Sequence, residues 1–475
     1  MKTIKHIIWM AAIALTAATW TACSNDDEPT TAEQPAQPRI YTVTTTLSPR
    51  NGATTRSTMT DNGNGSISAA WEVGDKIWVG YTQNGDTPEE TMATVTAVDP
   101  TTKAAKITLT LTNPKDGGDI TFGYPYSFYT GTKKLLTDQR GTLADINANF
   151  AAIYGDVKMT VSGSNITLPA VTMKPAMCIW KFSFTDGAND ITSAITKLVI
   201  DFPNEGEDPY EIIIPSPQNT IYVAIYADGY IINAEPINIY AQTASGVYRK
   251  SAASVTLASG TTYTSTSLAL SSAAAANAVA GDICKLIGAD GNIYPNASIA
   301  TAIGTTALAK IAYVGNDAET NTTYNHGLAL ALTDANSGNK AKWCSQSSET
   351  CLATQYAASL SEFNDMTGIA YTDALVGHAT HTHAAANAAR NYNSGTHPTG
   401  TSAWFLPSAG QWDKMIDAAG GYAALRTNAG LQSSNYWSST EYDTQYSWNY
   451  NFGMGVWGPD FKDQSSRFVR AALAF

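Results

Sequence analysis

The sequence predicts a mostly-β, multidomain fold, and three features of the chain lead to this. Residues 77–81 and 107–112 alternate side chains with a period of two, which is typical of strands with one buried face. Turn clusters at 62–65 and 115–118 separate such runs, and several short strands at this spacing favour antiparallel sandwiches. The 475 residues leave room for about three domains.

Composition agrees with strands and excludes one class of partner. The chain has 24 Tyr and 11 Trp, residues that suit pleated, half-buried surfaces. Charged residues make up only 14% of the chain, and the formal net charge is −12. An acidic chain without a basic stripe is not expected to bind nucleic acid.

The N-terminal residues predict export. Lys2 and Lys5 precede a short apolar run at 7–18, the order found in signal peptides, and the run is too short to span a bilayer. We therefore expect residues 1–22 to be a signal peptide.

Thr21-Ala22-Cys23 resembles the end of a bacterial lipobox, although Trp20 stands where leucine is usual. The resemblance implies lipidation at Cys23. The alternative is an ordinary signal peptide cleaved near Ala22. An acidic run at 24–28 is similar to a surface-export signal of lipoproteins, and the composition of 23–38 predicts a flexible tether. We expect an outer-membrane protein, lipid-anchored and facing the cell exterior.

The period-two pattern continues beyond residue 160 and predicts a second β-rich domain. We place the two sandwiches at 39–160 and 161–270. The strands predicted in the second domain are 180–184, 197–202, 211–214, 221–226, 237–240 and 254–257.

Thr55-Arg56 followed by Trp71-Glu72-Val73-Gly74-Asp75-Lys76-Ile77 resembles the N-terminal signature of the fimbrillin family, which includes minor-fimbrium-like lipoproteins. The segment ending at Tyr263 is similar to the second domain of that family. The resemblance implies two transthyretin-like β-sandwiches, used as pilus subunits or as display modules. It also implies processing at Arg56 that would open a sheet edge for a partner's strand. The alternative is that Arg56 is an ordinary loop residue.

The C-terminal third differs in composition. Residues 271–280 are rich in Ala, Ser and Asn and predict a linker or a short helix. Beyond them, 404–407, 436–441 and 467–470 resemble the C-type-lectin-like fold, in the bacterial branch appended to surface lipoproteins. We assign 281–475 to an α+β domain of this kind. The resemblance implies a variable ligand-binding face, in some members a target of diversity-generating retroelements.

Helices are expected in this domain at 352–366 and 384–390. A third helix is expected after Ser408 and Gln411, which have the spacing of a capping box.

Aromatic residues between the framework segments are candidates for ligand contact, because exposed Tyr and Trp give large rigid contact areas at low entropic cost. For Trp437, Trp448 and Phe452 we favour the alternative, a place in the core. The ligand-binding candidates are Tyr442, Tyr446, Asn449, Met454, Trp457, Asp460 and Phe461.

The sequence gives little support for a metal site, a calcium-dependent sugar site or a catalytic site. His378, His381 and His383 do not share one helix face, so a solvated loop is expected there and no metal site. Cys344 and Cys351 are close enough in sequence to form a disulfide, or they stay free. The calcium-dependent sugar motifs, the phosphate loop, the serine nucleophile elbow and HExxH are all missing. We expect neither a cofactor nor an enzyme.

Two functional hypotheses follow. The first is a cell-surface lipoprotein adhesin or receptor that displays a C-terminal ligand-binding face on a β-sandwich stalk, with an unknown extracellular protein or glycan as ligand. The alternative is a tip or anchor subunit of a fimbrium, assembled with other subunits by strand addition.

Overall fold

The computed structural model describes residues 38–48, 58–62, 67–204, 206, 208–227, 232–356 and 364–475. The signal peptide, Cys23, most of the predicted tether and Arg56 lie outside these residues, so their assignments stay predictions. The mostly-β, multidomain class is confirmed.

The elements follow in chain order. The N-terminal strands are β1 (Ile40–Ser48), β2 (Thr58–Asp61), β3 (Ile67–Ala70), β4 (Lys76–Thr82), β5 (Pro88–Val98), β6 (Ala105–Thr112), β7 (Asp119–Tyr124), β8 (Ile153–Lys158), β9 (Thr160–Ser162), β10 (Asn165–Thr167), β11 (Val171–Thr172) and β12 (Lys174–Pro175). The helices α1 (Tyr126–Tyr129) and α2 (Leu143–Asn149) lie between β7 and β8.

The middle strands are β13 (Met177–Thr185), β14 (Ile195–Asp201), β15 (Tyr210–Ile213), β16 (Ile221–Tyr226), β17 (Ile232–Thr243), β18 (Gly246–Leu257), β19 (Thr262–Ala269) and β20 (Ser271–Ser272). All six strands predicted between 180 and 257 fall within or overlap these elements, which confirms them.

The C-terminal strands are β21 (Leu286–Gly288), β22 (Ile293–Tyr294), β23 (Ala307–Val314), β24 (Gly327–Ala331), β25 (Ala341–Lys342), β26 (Asn435–Glu441), β27 (Tyr446–Asn451), β28 (Val456–Phe461), β29 (Ser466–Arg467) and β30 (Ala472–Ala474). The helices are α3 (Ala297–Ile303), α4 (Gly368–Val376), α5 (Ala384–Arg390), α6 (Ala409–Ala418) and α7 (Tyr422–Ala429).

The chain forms two compact units. The first contains the described residues up to 183 together with 218–235 and 253–266. The second contains 184–217, 236–252 and 267–475. The strands predicted for the second sandwich are therefore shared between the two units, and the domain limits at 160, 270 and 281 stay predictions.

The first unit is built around an eight-stranded sheet with the order β11-β1-β6-β5-β4-β7-β8-β12. Its pairs are antiparallel except β1 with β11. Ile77, Val79 and Tyr81 of β4 point to one face and are buried there, as their alternation predicted. Trp71 is buried in the same core. Alternation therefore decides which side of this sheet carries the core.

In the second unit, a five-stranded sheet with the order β15-β14-β17-β18-β20 packs on α3 and β22. A buried ion pair reinforces this packing, since Arg249 of β18 donates to both carboxylate oxygens of Asp282 at 2.7 and 2.6 Å. The predicted linker begins with β20 and continues as a 3-10 turn at Ala275–Asn277. The 3-10 turn is the helical part of this segment, and its role as a linker stays a prediction.

The C-terminal segment, 281–475, combines a five-stranded sheet (β22-β21-β23-β24-β30), a three-stranded sheet (β26-β27-β28) and the pair β25-β29. Helix α5 is found as predicted. The capping box before α6 is confirmed, because the Ser408 side chain accepts from the Gln411 amide and Gln411 accepts from that of Ser408. Among the helices of the described residues, none has the length and apolar character needed to cross a bilayer.

The helix predicted at 352–366 is wrong at its described ends, because residues 352–356 and 364–366 are not helical. The physical reason is a competing acceptor. The backbone amide of Leu352 donates to the Glu441 side chain at 2.9 Å, and that of Tyr356 donates to the Glu441 carbonyl at 3.1 Å. The Tyr356 amide, which in a helix starting at residue 352 would donate to the Leu352 carbonyl, is therefore held by strand β26, and the first helical turn does not close.

Candidate functional site

The hairpin of β27 and β28 carries most of the predicted ligand-binding residues. Its register places Tyr446 opposite Phe461 and Tyr450 opposite Trp457. The rings of Tyr446 and Phe461 are 4.5 Å apart between centroids, and Tyr442 packs edge-on against Tyr446 at 6.2 Å. The fold thus gathers three of the predicted aromatic residues into one contiguous group.

Exposure separates these candidates into two sets. Met454, in the turn of the hairpin, is 68% exposed, and Phe461 is 37% exposed. Tyr442, Tyr446 and Trp457 are half-buried, so each presents part of its ring to solvent. We call the four aromatic residues of this set, Tyr442, Tyr446, Trp457 and Phe461, the aromatic row.

Asn449 and Asp460 lie beside the aromatic row and hold the hairpin together. Asn449 is only 2% exposed, and its side-chain amide donates to the Gly458 carbonyl at 2.7 Å. Asp460 accepts from Arg467 Nε at 2.8 Å and from the Ser465 hydroxyl at 3.1 Å. Their polar atoms are already used inside the protein, so they support the surface from behind.

Trp437, Trp448 and Phe452 are buried, which confirms the core position predicted for them. Trp448 nevertheless touches the aromatic row, because its ring lies 5.0 Å from Tyr442 and 6.3 Å from Trp457. The row therefore rests on a rigid aromatic layer.

Trp457 is oriented by a carboxylate on α6. Its indole N–H donates to Asp413 Oδ1 at 2.9 Å. Burial raises the pKa of Asp413 to about 6, although the Trp457 hydrogen bond acts in the opposite direction. This carboxyl therefore titrates just below neutral pH beside the half-buried Trp457.

The raised pKa predicts a pH-dependent stability that Asp413→Asn removes. Because the folded state favours the protonated carboxyl, the stabilisation is complete below the unfolded pKa and is lost as pH rises through about 6. We expect the melting temperature of the variant to exceed that of the unsubstituted protein increasingly from about pH 4 to about pH 7. Thermal unfolding at a series of pH values measures this difference.

Asp208→Asn is the matched control, since Asp208 is exposed on a loop of the same unit and does not contribute to the raised pKa of Asp413. Its melting temperature should follow that of the unsubstituted protein across the same pH range. A constant difference between Asp413→Asn and the unsubstituted protein would contradict the assignment.

A second group of reactive side chains lies elsewhere in the C-terminal segment. Cys344, Cys351 and His383 place their sulfur and nitrogen atoms within 4.8 Å of one another. The two cysteines are free, so of the alternatives left open for them the disulfide is not the one found. In the sequence, the cysteines and the histidines were interpreted as two unrelated features. The fold brings Cys344 next to His383.

The two thiols of this group differ in acidity. The Cys351 thiol and then the His383 imidazole lower the pKa of Cys344 below its usual range. The neighbouring Cys344 and burial raise the pKa of Cys351. The two thiols therefore lose their protons one after the other as pH rises. Cys344 is the first to become a thiolate, and Cys351 keeps its proton.

His378 and His381 belong to a loop, as predicted. They are not merely solvated, since the Nδ1 atom of His378 is buried and His381 Nε2 lies 3.2 Å from Glu349 Oε1.

The solved structures that resemble this chain include fimbrial and cell-adhesion proteins. No family model matches the chain, and no curated protein matches it. Among solved structures, a fimbrial protein from Bacteroides ovatus is 13% identical with a TM-score of 0.25, over 91% of this chain and 99% of that one. A protein named for cell adhesion from Bacteroides uniformis is 13% identical with a TM-score of 0.27, over 43% of this chain and 91% of that one.

The tip fimbrial protein Mfa3 from Porphyromonas gingivalis is 11% identical with a TM-score of 0.22, over 45% of this chain and 81% of that one. At these identities and TM-scores, function has to be argued from the residues of the chain itself.

Proposed function

We propose that this protein is a fimbrillin-like surface lipoprotein, anchored in the outer membrane through Cys23, that acts as an adhesin or receptor. Its C-terminal segment, 281–475, takes the role of a lectin-like ligand-binding domain, and the preceding β-rich domains form the stalk. The ligand is an extracellular protein or glycan. The observation that carries this proposal is the aromatic row on the β27–β28 hairpin.

Partly exposed aromatic side chains on a rigid base are well suited to recognition. Tyr442 packs edge-on against Tyr446, and Tyr446 packs in turn against Phe461, so little side-chain entropy is lost when a ligand covers them. The lectin resemblance further suggests that these positions vary between copies of the gene through a diversity-generating retroelement. The hydrogen bonds of Asn449 and Asp460 would keep the hairpin intact under such variation.

A second candidate function, a subunit of a fimbrium, is favoured by one feature of β1. This strand pairs with β6 from Ile40 to Leu47, but within the described residues it pairs on its other side only at Leu47 and Ser48, with β11. From Ile40 to Thr46 that edge has no strand partner among the described residues, which is the pattern that an added strand would complete. Processing at Arg56, outside the described residues, would belong to this function.

The adhesin proposal is tested with the double substitution Trp457→Ala and Tyr446→Ala in the full chain. Binding to a protein and glycan array is compared before and after the change. We expect the affinity for the recognised ligand to fall at least about 30-fold, because the loss of even one central aromatic contact of about 2 kcal/mol has that effect.

Tyr248→Ala, which removes a half-buried tyrosine from β18, is the matched control and should leave binding unchanged. Equal binding by the double variant would overturn the site assignment. Immunoblots of intact cells decide between the two functions. Full-length monomer supports the adhesin, and a ladder of trimmed, assembled species supports the fimbrial subunit.

A further inference from the structure

We propose that Cys344, Cys351 and His383 form a binding site for Zn²⁺ in the C-terminal segment, with His378 as the fourth ligand. This site is separate from the aromatic row and does not depend on the adhesin proposal. Thiolate sulfur and imidazole nitrogen are the ligands that zinc prefers in structural sites.

The spacing of the donor atoms fits this ion. Zinc–sulfur bonds of about 2.3 Å and zinc–nitrogen bonds of about 2.0–2.1 Å place tetrahedral ligands about 3.4–3.8 Å apart. The three donor atoms lie within 4.8 Å of one another. Rotations of the three side chains that contract the group by about 1 Å would therefore bring it to coordination distance.

The strongest evidence is the state of His383. This side chain is fully buried, and within the described residues neither of its ring nitrogens makes a hydrogen bond of ordinary geometry; the polar group that interacts with the ring is the Cys344 thiol. Leaving buried polar atoms unpaired is costly, and native proteins rarely do so. Coordination of a metal by one nitrogen would remove part of this cost.

The fourth donor that we propose is His378, whose ring packs edge-on against that of His383 but which lies outside the group of three donor atoms, so its ring has to turn toward the ion. Its Nδ1 atom is buried and unpaired in the described part of the chain, and its ring centroid lies 5.2 Å from that of His383. His381 stacks on His378 at 5.3 Å and reaches Glu349 with its Nε2 atom at 3.2 Å. His381, itself held by Glu349, thus supports the His378 ring.

The ligands are also positioned by the backbone around them. The Ser345 amide donates to the Thr382 carbonyl at 2.9 Å, which joins the loop of Cys344 to the loop of His383. The Cys351 amide donates to Glu441 Oε1 at 2.9 Å. The Trp343 ring meets His383 edge-on at 5.3 Å. Three separate parts of the chain are therefore held around one point before an ion arrives.

A disulfide explains this arrangement less well than zinc does. Joining Cys344 to Cys351 would use both sulfurs, but it would leave both nitrogens of His383 and Nδ1 of His378 unpaired. A zinc ion uses sulfur and nitrogen donors together.

The test is metal binding by the full chain, purified with reductant, stripped with a chelator and titrated with Zn²⁺ against a competing chelator. We expect one zinc per chain. Co²⁺ in its place should give thiolate-to-cobalt charge-transfer absorption and the strong visible bands of tetrahedral coordination. Cys351→Ser and His383→Gln should each lower the zinc affinity at least about 100-fold, and His378→Gln about 10- to 100-fold.

Cys284→Ser and His397→Gln are the matched controls, because Cys284 is exposed and His397 is bonded locally to Pro398 and Thr401. Both should bind zinc as the unsubstituted chain does. Circular dichroism of each metal-free variant separates a lost ligand from a lost fold. Absence of stoichiometric zinc in the reduced protein, or undiminished zinc binding by folded Cys351→Ser and His383→Gln, would overturn the site. Undiminished affinity of His378→Gln would overturn its assignment as the fourth ligand.

Discussion

Replacing Lys462 by Met is expected to destabilise the C-terminal segment by about 3–5 kcal/mol. The Lys462 and Glu441 side chains form an ion pair from which solvent is fully excluded. Without the ammonium group, the Glu441 carboxylate would remain buried beside the amides of Cys351 and Leu352 with its charge uncompensated. Removing one partner of a buried pair costs far more than removing an exposed charge. Chemical denaturation followed by tryptophan fluorescence measures the loss.

Lys342→Met is the matched control, because Lys342 is exposed on β25, and its effect should stay within about 0.5 kcal/mol. The double variant Lys462→Met with Glu441→Gln should recover part of the stability, because it removes the stranded charge. A loss as small as that of the control would mean that the pair is not needed for folding.

Local pattern was enough to predict the strands. Period two in β4 and β6 follows from the geometry of a pleated strand with one dry face, which the chain encodes residue by residue. The capping box before α6 was predictable for the same reason, since Ser408 and Gln411 lie within one helical turn. Such signals need no knowledge of the rest of the fold.

Local pattern was not enough at residues 352–356, where a helix was predicted and is not found. Their composition permits a helix, but the backbone amide of Tyr356 donates to the carbonyl of Glu441, about 85 positions away in the chain, and not to that of Leu352. Contacts between distant residues decide such segments, and one sequence does not reveal them.

The same limit applies to the candidate sites. The residues of the aromatic row were predicted as candidates because they lie between the framework segments of the lectin-like resemblance, close together in sequence. That Asn449 faces inward follows from its bonds across the sheet, which residue type alone does not indicate. The meeting of Cys344 with His383 depends on how two loops fold together, and neither loop carries a recognised metal motif.

Arg470→Met is expected to cost about 3–5 kcal/mol, comparable to the loss at Lys462. Arg470 is 1% exposed, and its guanidinium donates to Asp334 Oδ1 at 2.8 Å. The same group donates to the carbonyls of Ala331 at 2.8 Å and of Ala429 and Gly430 at 3.1 Å each. The carbonyls of Ala429 and Gly430 lie at the C-terminal end of α7. The last carbonyls of a helix have no N–H donor within the helix, so Arg470 supplies one. One side chain thus joins the end of α7 to the end of β24.

Because that role depends on the forked geometry of the guanidinium, Arg470→Lys should restore only part of the stability. Hydrogen exchange should accelerate in α7 and β24 in both variants, and more in Arg470→Met. Asp334→Asn, combined with Arg470→Met in a double-mutant cycle, isolates the ion pair from the three carbonyl contacts. If Arg470→Lys matched the unsubstituted protein in both stability and exchange, charge alone would account for Arg470. The connection between α7 and β24 would then not require the planar fork.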